Sequence, residues 1–200
     1  MDENGHYLGE EYSVCMASDF ILKKHPKGTV VVNASTTQAI EDIAKKHKSK
    51  LIRTKVGEVY VAEKMMQEKA IIGGEGNGGI IYPKVHYVRD SLVGITLMLQ
   101  YMAETNKSIS ELSKEIPKYY MTKEKVSCTY KDAYKVLNIL KEKYENENLD
   151  LIDGLTISKN DLRINIRPSN TEPILKLIVE AISSKLMKQK IRELSSLISN

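Results

Sequence analysis

Thr29-Val30-Val31-Val32-Asn33-Ala34-Ser35-Thr36 passes from a β-branched run directly into residues that favour helix starts. A continuous β-branched run without alternation suits a strand buried on both faces, and Ser35 or Thr36 can cap a helix that extends to His47. The same rhythm recurs downstream, with a strand from Lys50 to Thr54, a helix around Glu58 to Glu68 and a strand from Ala70 to Gly74. Upstream, Val14, Ala17, Phe20 and Ile21 fall at helical spacing between Glu11 and Lys24, and Pro26-Lys27-Gly28 ends that helix. Strands alternating with helices predict a three-layer parallel α/β domain, whose ligands sit at the carboxyl ends of the strands. The loop that follows Gly73 is therefore well placed to bind something.

Beyond a short apolar stretch at Ile80-Ile81-Tyr82, the segment Asp90 to Glu104 reads as a helix with Leu92, Ile95, Leu99 and Met102 along one side. The α/β rhythm stops near Lys118, just after Pro117. A second unit of different kind follows: a helix from about Asp132 to Tyr144, a strand and turn near Leu151 to Ser158, strands around Arg163 to Arg167 and Ile174 to Ala181, and a last helix carrying Met187, Ile191, Leu194 and Ile198 on one face. This predicts a small α+β C-terminal domain. Residues 1–8 have the turn chemistry of a hairpin whose first strand lies upstream, so the expected organisation is a remnant of a preceding domain at 1–8, an α/β domain at 9–117 and an α+β domain at 118–200.

Composition narrows the function. The 200 residues are 42% hydrophobic and 28% charged, with the charges interleaved, so a buried core and an ordinary polar surface are expected. The net charge of +4 allows an anionic ligand, but one Phe, no Trp and scattered Tyr give no stacking platform, which argues against a nucleic-acid partner. No apolar run is long enough to cross a bilayer and Met1 to Glu10 do not form a signal sequence, so no membrane partner is expected and the chain reads as cytoplasmic. Cys15 and Cys128 are too far apart in sequence for a local metal pair, and Cys15 lies in an apolar run where a free cysteine packs.

Two loops carry most of the chemistry. Arg167-Pro168-Ser169-Asn170-Thr171-Glu172-Pro173 joins two strands, and alternation places Arg163, Asn165 and Arg167 on one face, so that Arg167 projects beside the turn. A guanidinium, two hydroxyls, an amide and loop N–H groups suit a phosphate dianion, although composition alone fits a simple hairpin turn equally well. In Gly73-Gly74-Glu75-Gly76-Asn77-Gly78-Gly79 the glycines allow close approach, and Glu75 can accept from vicinal sugar hydroxyls. Taken alone, such a loop also fits a plain turn or a dinucleotide contact. Lys55, in Arg53-Thr54-Lys55-Val56-Gly57-Glu58, reads by itself as a solvated charge, and His86 and Arg89 either line the same cleft or merely flank Asp90 as a helix cap.

The run at 167–173 resembles the phosphate-binding loop of the α-D-phosphohexomutases, an Arg-x-Ser-(Asn or Gly)-Thr-Glu-Pro string, and the run at 74–79 resembles their sugar-binding loop. Asn77 stands where many members have Ser, and Gly79 where others have His, a variant similar to archaeal-type phosphoglucosamine and phosphomannose mutases. The resemblance covers essentially the whole chain as the C-terminal half of such an enzyme. It implies substrate contacts through Glu75, Asn77, Gly79, Arg167, Ser169, Asn170 and Thr171, and a catalytic or phosphate-neutralising role for Lys55. The implied partner is a hexose or hexosamine phosphate, whose phosphate moves between O6 and O1. The family's phosphoserine and its Asp-x-Asp-x-Asp magnesium loop have no counterpart in these residues. A separate N-terminal half is thus a further expected partner, Mg²⁺ belongs to the intact enzyme, and this chain alone is expected to hold neither metal nor activity. A non-catalytic sugar-phosphate-binding module is the alternative.

Overall fold

A computed structural model describes residues 1–169 and 172–199, and Asn170 and Thr171 of the expected phosphate loop lie outside them. The chain divides into two compact units, Met1–Lys118 and Tyr119–Asn200.

In the first unit, α1 (Glu11–Lys24), β1 (Thr29–Asn33), α2 (Ala39–Lys46), β2 (Lys50–Thr54), α3 (Glu58–Gln67), β3 (Ile72–Gly74), β4 (Ile80–Ile81), α4 (Ser91–Thr105) and α5 (Ile109–Lys114) follow in order. The sheet runs β2-β1-β3-β4, parallel except for β4, which returns antiparallel to β3 with Gly73 opposite Ile81 and Gly74 opposite Ile80. The two sheet faces are covered differently. Val31 packs with Val61 and Met65 of α3, whereas a Cβ on Gly74 would meet Val14 of α1, which places helices on both sides of the sheet. Gly73 is required by the close approach of β1, since a Cβ there would stand 2.4 Å from the Val31 carbonyl.

One local expectation is corrected. Neither Ser35 nor Thr36 caps α2, because Asn33 draws both into a turn: its Oδ1 accepts from the Ser35 N–H at 3.0 Å and from the Thr36 hydroxyl at 2.9 Å. The Ala39 N–H is taken by the Thr37 hydroxyl instead. Residues 1–10 contain a turn closed by Asp2 and His6 but no strand. By contrast, Asp90 does cap α4, accepting from the N–H groups of Leu92 and Val93.

In the second unit, β5 (Tyr120–Ser127), α6 (Tyr130–Lys143), β6 (Asn148–Asp150), β7 (Leu155–Ser158), β8 (Leu162–Pro168), β9 (Ile174–Ala181) and α7 (Ser184–Ser199) form an antiparallel sheet in the order β5-β9-β8-β7-β6. Leu155, Ile157, Leu162, Ile164, Ile166, Leu175, Leu177 and Val179 face one way and pack on Val136 and Leu140 of α6 and Ile191 and Leu194 of α7. The opposite sheet face carries Thr156, Arg163, Asn165, Arg167 and Glu180, by strict alternation.

Candidate functional site

Parallel pairing aligns the carboxyl ends of the first three strands, with Asn33 beside Thr54 and Val32 beside Gly74. The loops that leave those ends, residues 34–38, 55–57 and 75–79, therefore gather at one edge of the first unit. Lys55 leaves β2 there and is exposed.

The glycine loop is a hairpin between β3 and β4, closed by the Glu75 N–H donating to the Gly79 carbonyl at 2.9 Å. Gly78 takes φ +89°, a left-handed conformation that costs glycine little. Gly76 lies against the Glu11 carboxylate, which in turn accepts from the Thr37 N–H at 2.9 Å, so α1 ties the loops after β1 and β3 together. Asn77 is exposed, and its Oδ1 accepts from the Gly79 N–H at 3.3 Å.

Glu75 itself is only 4% exposed. Its Oε1 accepts from Asn33 Nδ2 at 2.8 Å and from the Gly57 N–H at 3.2 Å, and its Oε2 pairs with Arg89 Nη1 at 2.8 Å. A carboxylate offers about four acceptor positions, so these donors fix its orientation and still leave capacity for a hydroxyl. Arg89 spans two acids, since its Nε also pairs with Glu58 at 2.8 Å and its N–H donates to the same carboxylate at 2.7 Å. The backbone N–H and then the guanidinium of Arg89 hold the Glu58 carboxyl below its ordinary range, and the Glu58 bond raises the arginine in return. Gly79 makes this crossing possible, because a Cβ there would stand 2.3 Å from Arg89 Cδ.

In the sequence alone Arg89 has two readings, and Asn33, Gly57 and Glu58 do not stand out. Asn33 had a usable signal, being the polar residue that ends a buried parallel strand. The bond from Glu58 to Arg89 has no signature in spacing. His86 pairs with Asp90 at 2.9 Å beside the helix cap and makes no bond to Glu75.

In the second unit Arg167 does share a face with Arg163 and Asn165, but that face is covered. Arg163 is 3% exposed and stands opposite the equally buried Glu180, and Asn165 donates to the Thr156 hydroxyl at 2.8 Å. The Arg167 side chain is 14% exposed, with Nε 3.7 Å from Asp153 Oδ2. Alternation revealed which residues share the face and not that it is covered. Ser169 is buried, and its N–H donates to the Ile174 carbonyl at 2.9 Å, closing the described part of the loop. Among the described residues no group of three or more His, Cys, Asp or Glu is placed to hold a metal ion. No described helix is long and apolar enough to cross a membrane.

Known proteins match both units. The family described as phosphoglucomutase/phosphomannomutase, alpha/beta/alpha domain III, matches residues 8–120, and the C-terminal domain of the same family matches residues 124–194. A Pyrococcus horikoshii protein named "Probable phosphoglucosamine mutase" is 30% identical, covering 99% of this chain and 45% of its own length. A phosphomannomutase of Methanocaldococcus jannaschii is 31% identical, covering 99% and 44%. Among solved structures, a phosphoglucomutase/phosphomannomutase family protein of Burkholderia thailandensis superposes with a TM-score of 0.79 at 18% identity, covering 98% of this chain and 43% of that one. The N-acetylphosphoglucosamine mutase of Aspergillus fumigatus, solved with GlcNAc-6P and magnesium, gives 0.67 at 15% identity, covering 95% and 43%. The chain spans a little under half the length of the curated relatives it matches. With both family domains matched in order along nearly all its length, the chain belongs to the phosphoglucomutase/phosphomannomutase family, the α-D-phosphohexomutases.

Proposed function

We propose that this chain is the substrate-recognition half of a cytoplasmic phosphohexomutase that moves phosphate between O6 and O1 of a hexose or hexosamine. The observation that carries the reading is Glu75, a buried carboxylate oriented by Asn33, Gly57 and Arg89 within a glycine hairpin at the carboxyl ends of parallel strands. Glu75 accepts from ring hydroxyls, with Asn77 and the Gly79 backbone beside it. Arg167, Ser169, Asn170 and Thr171 hold the phosphate that is not being transferred, and Lys55 neutralises the one that is. Binding is selective for the sugar because an unpaired hydroxyl against a buried carboxylate is costly.

Glu75→Gln keeps the shape but loses the charge-assisted bonds. Hexose phosphate binding is expected to weaken by about 1 to 3 kcal/mol, with inorganic phosphate little affected. Calorimetry with glucosamine 6-phosphate and with phosphate decides the matter: equal weakening of both ligands would show that Glu75 does not read the sugar.

The phosphoryl-transferring serine and the metal loop belong to the domains that precede this stretch in full-length relatives. Those domains need a surface to rest on, and α4 offers one. Leu92, at 74% exposure, Ile95 and Leu99 stand out of the unit beside a groove of about 490 Å³ lined by Met16, Ile80 and Met98. In a mutase assay the chain alone is expected to be inactive, and to gain turnover when mixed with the preceding domains of a relative. The double change Leu92→Asp, Leu99→Asp should block that gain. Turnover by the 200 residues alone would overturn the reading, and tight hexose phosphate binding without turnover in any mixture would favour a binding module.

A further inference from the structure

The turn between β6 and β7 reaches back over β8 at one point. Gly154 has φ +76°, and a Cβ on it would stand 2.2 Å from the Ile166 carbonyl and 2.8 Å from Cα and Cβ of Arg167. Only glycine lets the turn press so closely on the strand. That closeness delivers the residue before it, Asp153, to the Arg167 side chain. Asp153 Oδ2 lies 3.7 Å from Arg167 Nε, both side chains being mostly buried at 21% and 14% exposure. The distance makes an ion pair and not a hydrogen bond, and Arg167 Nε is a buried donor without a hydrogen-bond partner. The same turn is fixed from beneath, where Asn165 Nδ2 lies 3.5 Å from the Asp153 carbonyl.

We propose that Asp153 is a positioning residue that holds the Nε edge of the Arg167 guanidinium, leaving the other edge of the fork to face a phosphoryl group. The inference rests on the reading of Arg167 as a phosphate ligand. A guanidinium can serve two anions at once because its five donors lie in one plane on different edges. Asp153 acts on affinity in two opposite ways. Its charge offsets part of the arginine's attraction for phosphate, but it also removes the rotamer freedom that binding would otherwise have to quench. Positioning outweighs the offset here, because a mostly buried side chain with an unbonded Nε has no other described group to orient that edge. Contact with phosphate draws the pair from 3.7 Å into a hydrogen bond, and the orphaned donor is then satisfied.

The experiment is calorimetric titration of the full chain with glucose 6-phosphate and with inorganic phosphate. Asp153→Asn is expected to weaken both ligands about fivefold to tenfold, with the thermal midpoint nearly unchanged. In an Arg167→Lys background, where no fork remains to be oriented, the same change should alter binding by less than about twofold. A general structural role for Asp153 would weaken binding equally in both backgrounds and overturn the proposal, as would unchanged or tighter binding by Asp153→Asn alone. If Arg167→Ala itself leaves phosphate binding intact, the phosphate reading fails first and independently of Asp153.

Discussion

Replacing Asp19 by alanine is expected to cost the first unit about 3 kcal/mol of stability, because several buried donors lose one acceptor at once. Asp19 lies on α1, fully buried, and receives the Tyr101 hydroxyl of α4 at 2.7 Å, His47 Nε2 at 2.7 Å, Lys46 Nζ at 3.0 Å and Lys23 Nζ at 2.9 Å. Lys23 also donates to the Tyr101 hydroxyl, and the Tyr101 ring stacks on Phe20. Without the carboxylate, Lys46 can turn to solvent, but His47 Nε2 and the Tyr101 hydroxyl proton are held in place with no acceptor. Urea denaturation followed through the helical signal measures the loss. A change below about 1 kcal/mol would mean that the cluster rearranges freely and does not fasten α1 to α2 and α4.

The same cluster sets how stability depends on pH. Burial alone would raise the Asp19 carboxyl, but the donors from His47, Tyr101, Lys23 and Lys46 outweigh it and hold the group far below the ordinary carboxylate range. Its contribution is therefore fully present above about pH 4, where the unfolded carboxyl ionises, and is lost as pH falls through the depressed folded value. Tyr101 acts at the other end. Burial pushes its hydroxyl up to about 12, against about 10 in the unfolded chain. Between those values the unfolded state has released the proton while the folded state keeps it, so stability falls as pH rises.

Arg167→Ala is expected to weaken hexose phosphate binding by about a hundredfold, and Arg167→Lys by about tenfold, since lysine keeps the charge but not the paired geometry. Because the side chain is mostly buried, the alanine variant should also lose about 1 kcal/mol of stability. Arg163→Lys is the instructive comparison. Arg163 is buried opposite Glu180 within the sheet, so its replacement should lower the melting temperature and leave the ligand affinity of the folded fraction alone. If Arg163→Lys abolishes binding while Arg167→Lys does not, the phosphate sits elsewhere on the strand face.

The strands at Thr29–Asn33 and Lys50–Thr54 and the helix at Glu11–Lys24 are legible in the sequence because burial on one or both faces imposes a pattern on consecutive residues. β5 is not legible, since its residues Tyr120 to Ser127 hold little apolar surface and only Val126 packs on the core. What makes it a strand is pairing along its whole length with β9, which no local signal announces. The candidate site divides in the same way. The glycine loop and the Arg167 loop announce themselves by composition, whereas the donors around Glu75 come from three separate segments and meet only once the parallel strands are aligned. Asn33 ends a strand, Gly57 starts a helix with φ +137°, and Arg89 precedes another helix, so each has a local explanation that hides its shared role.

The position of β5 also bears on how the second unit comes into being. The strands β6 to β9 pair with their neighbours in sequence, so they can zip together as successive hairpins at small loop-closure cost. Among the described strands β5 pairs with β9 alone, the last strand of this sheet in chain order, and is therefore made before its partner exists. In that interval it is an unpaired strand exposed to other nascent chains. The consecutive charges Lys123, Glu124 and Lys125 at its centre act as gatekeepers, keeping the waiting segment in water until the sheet edge it completes is ready.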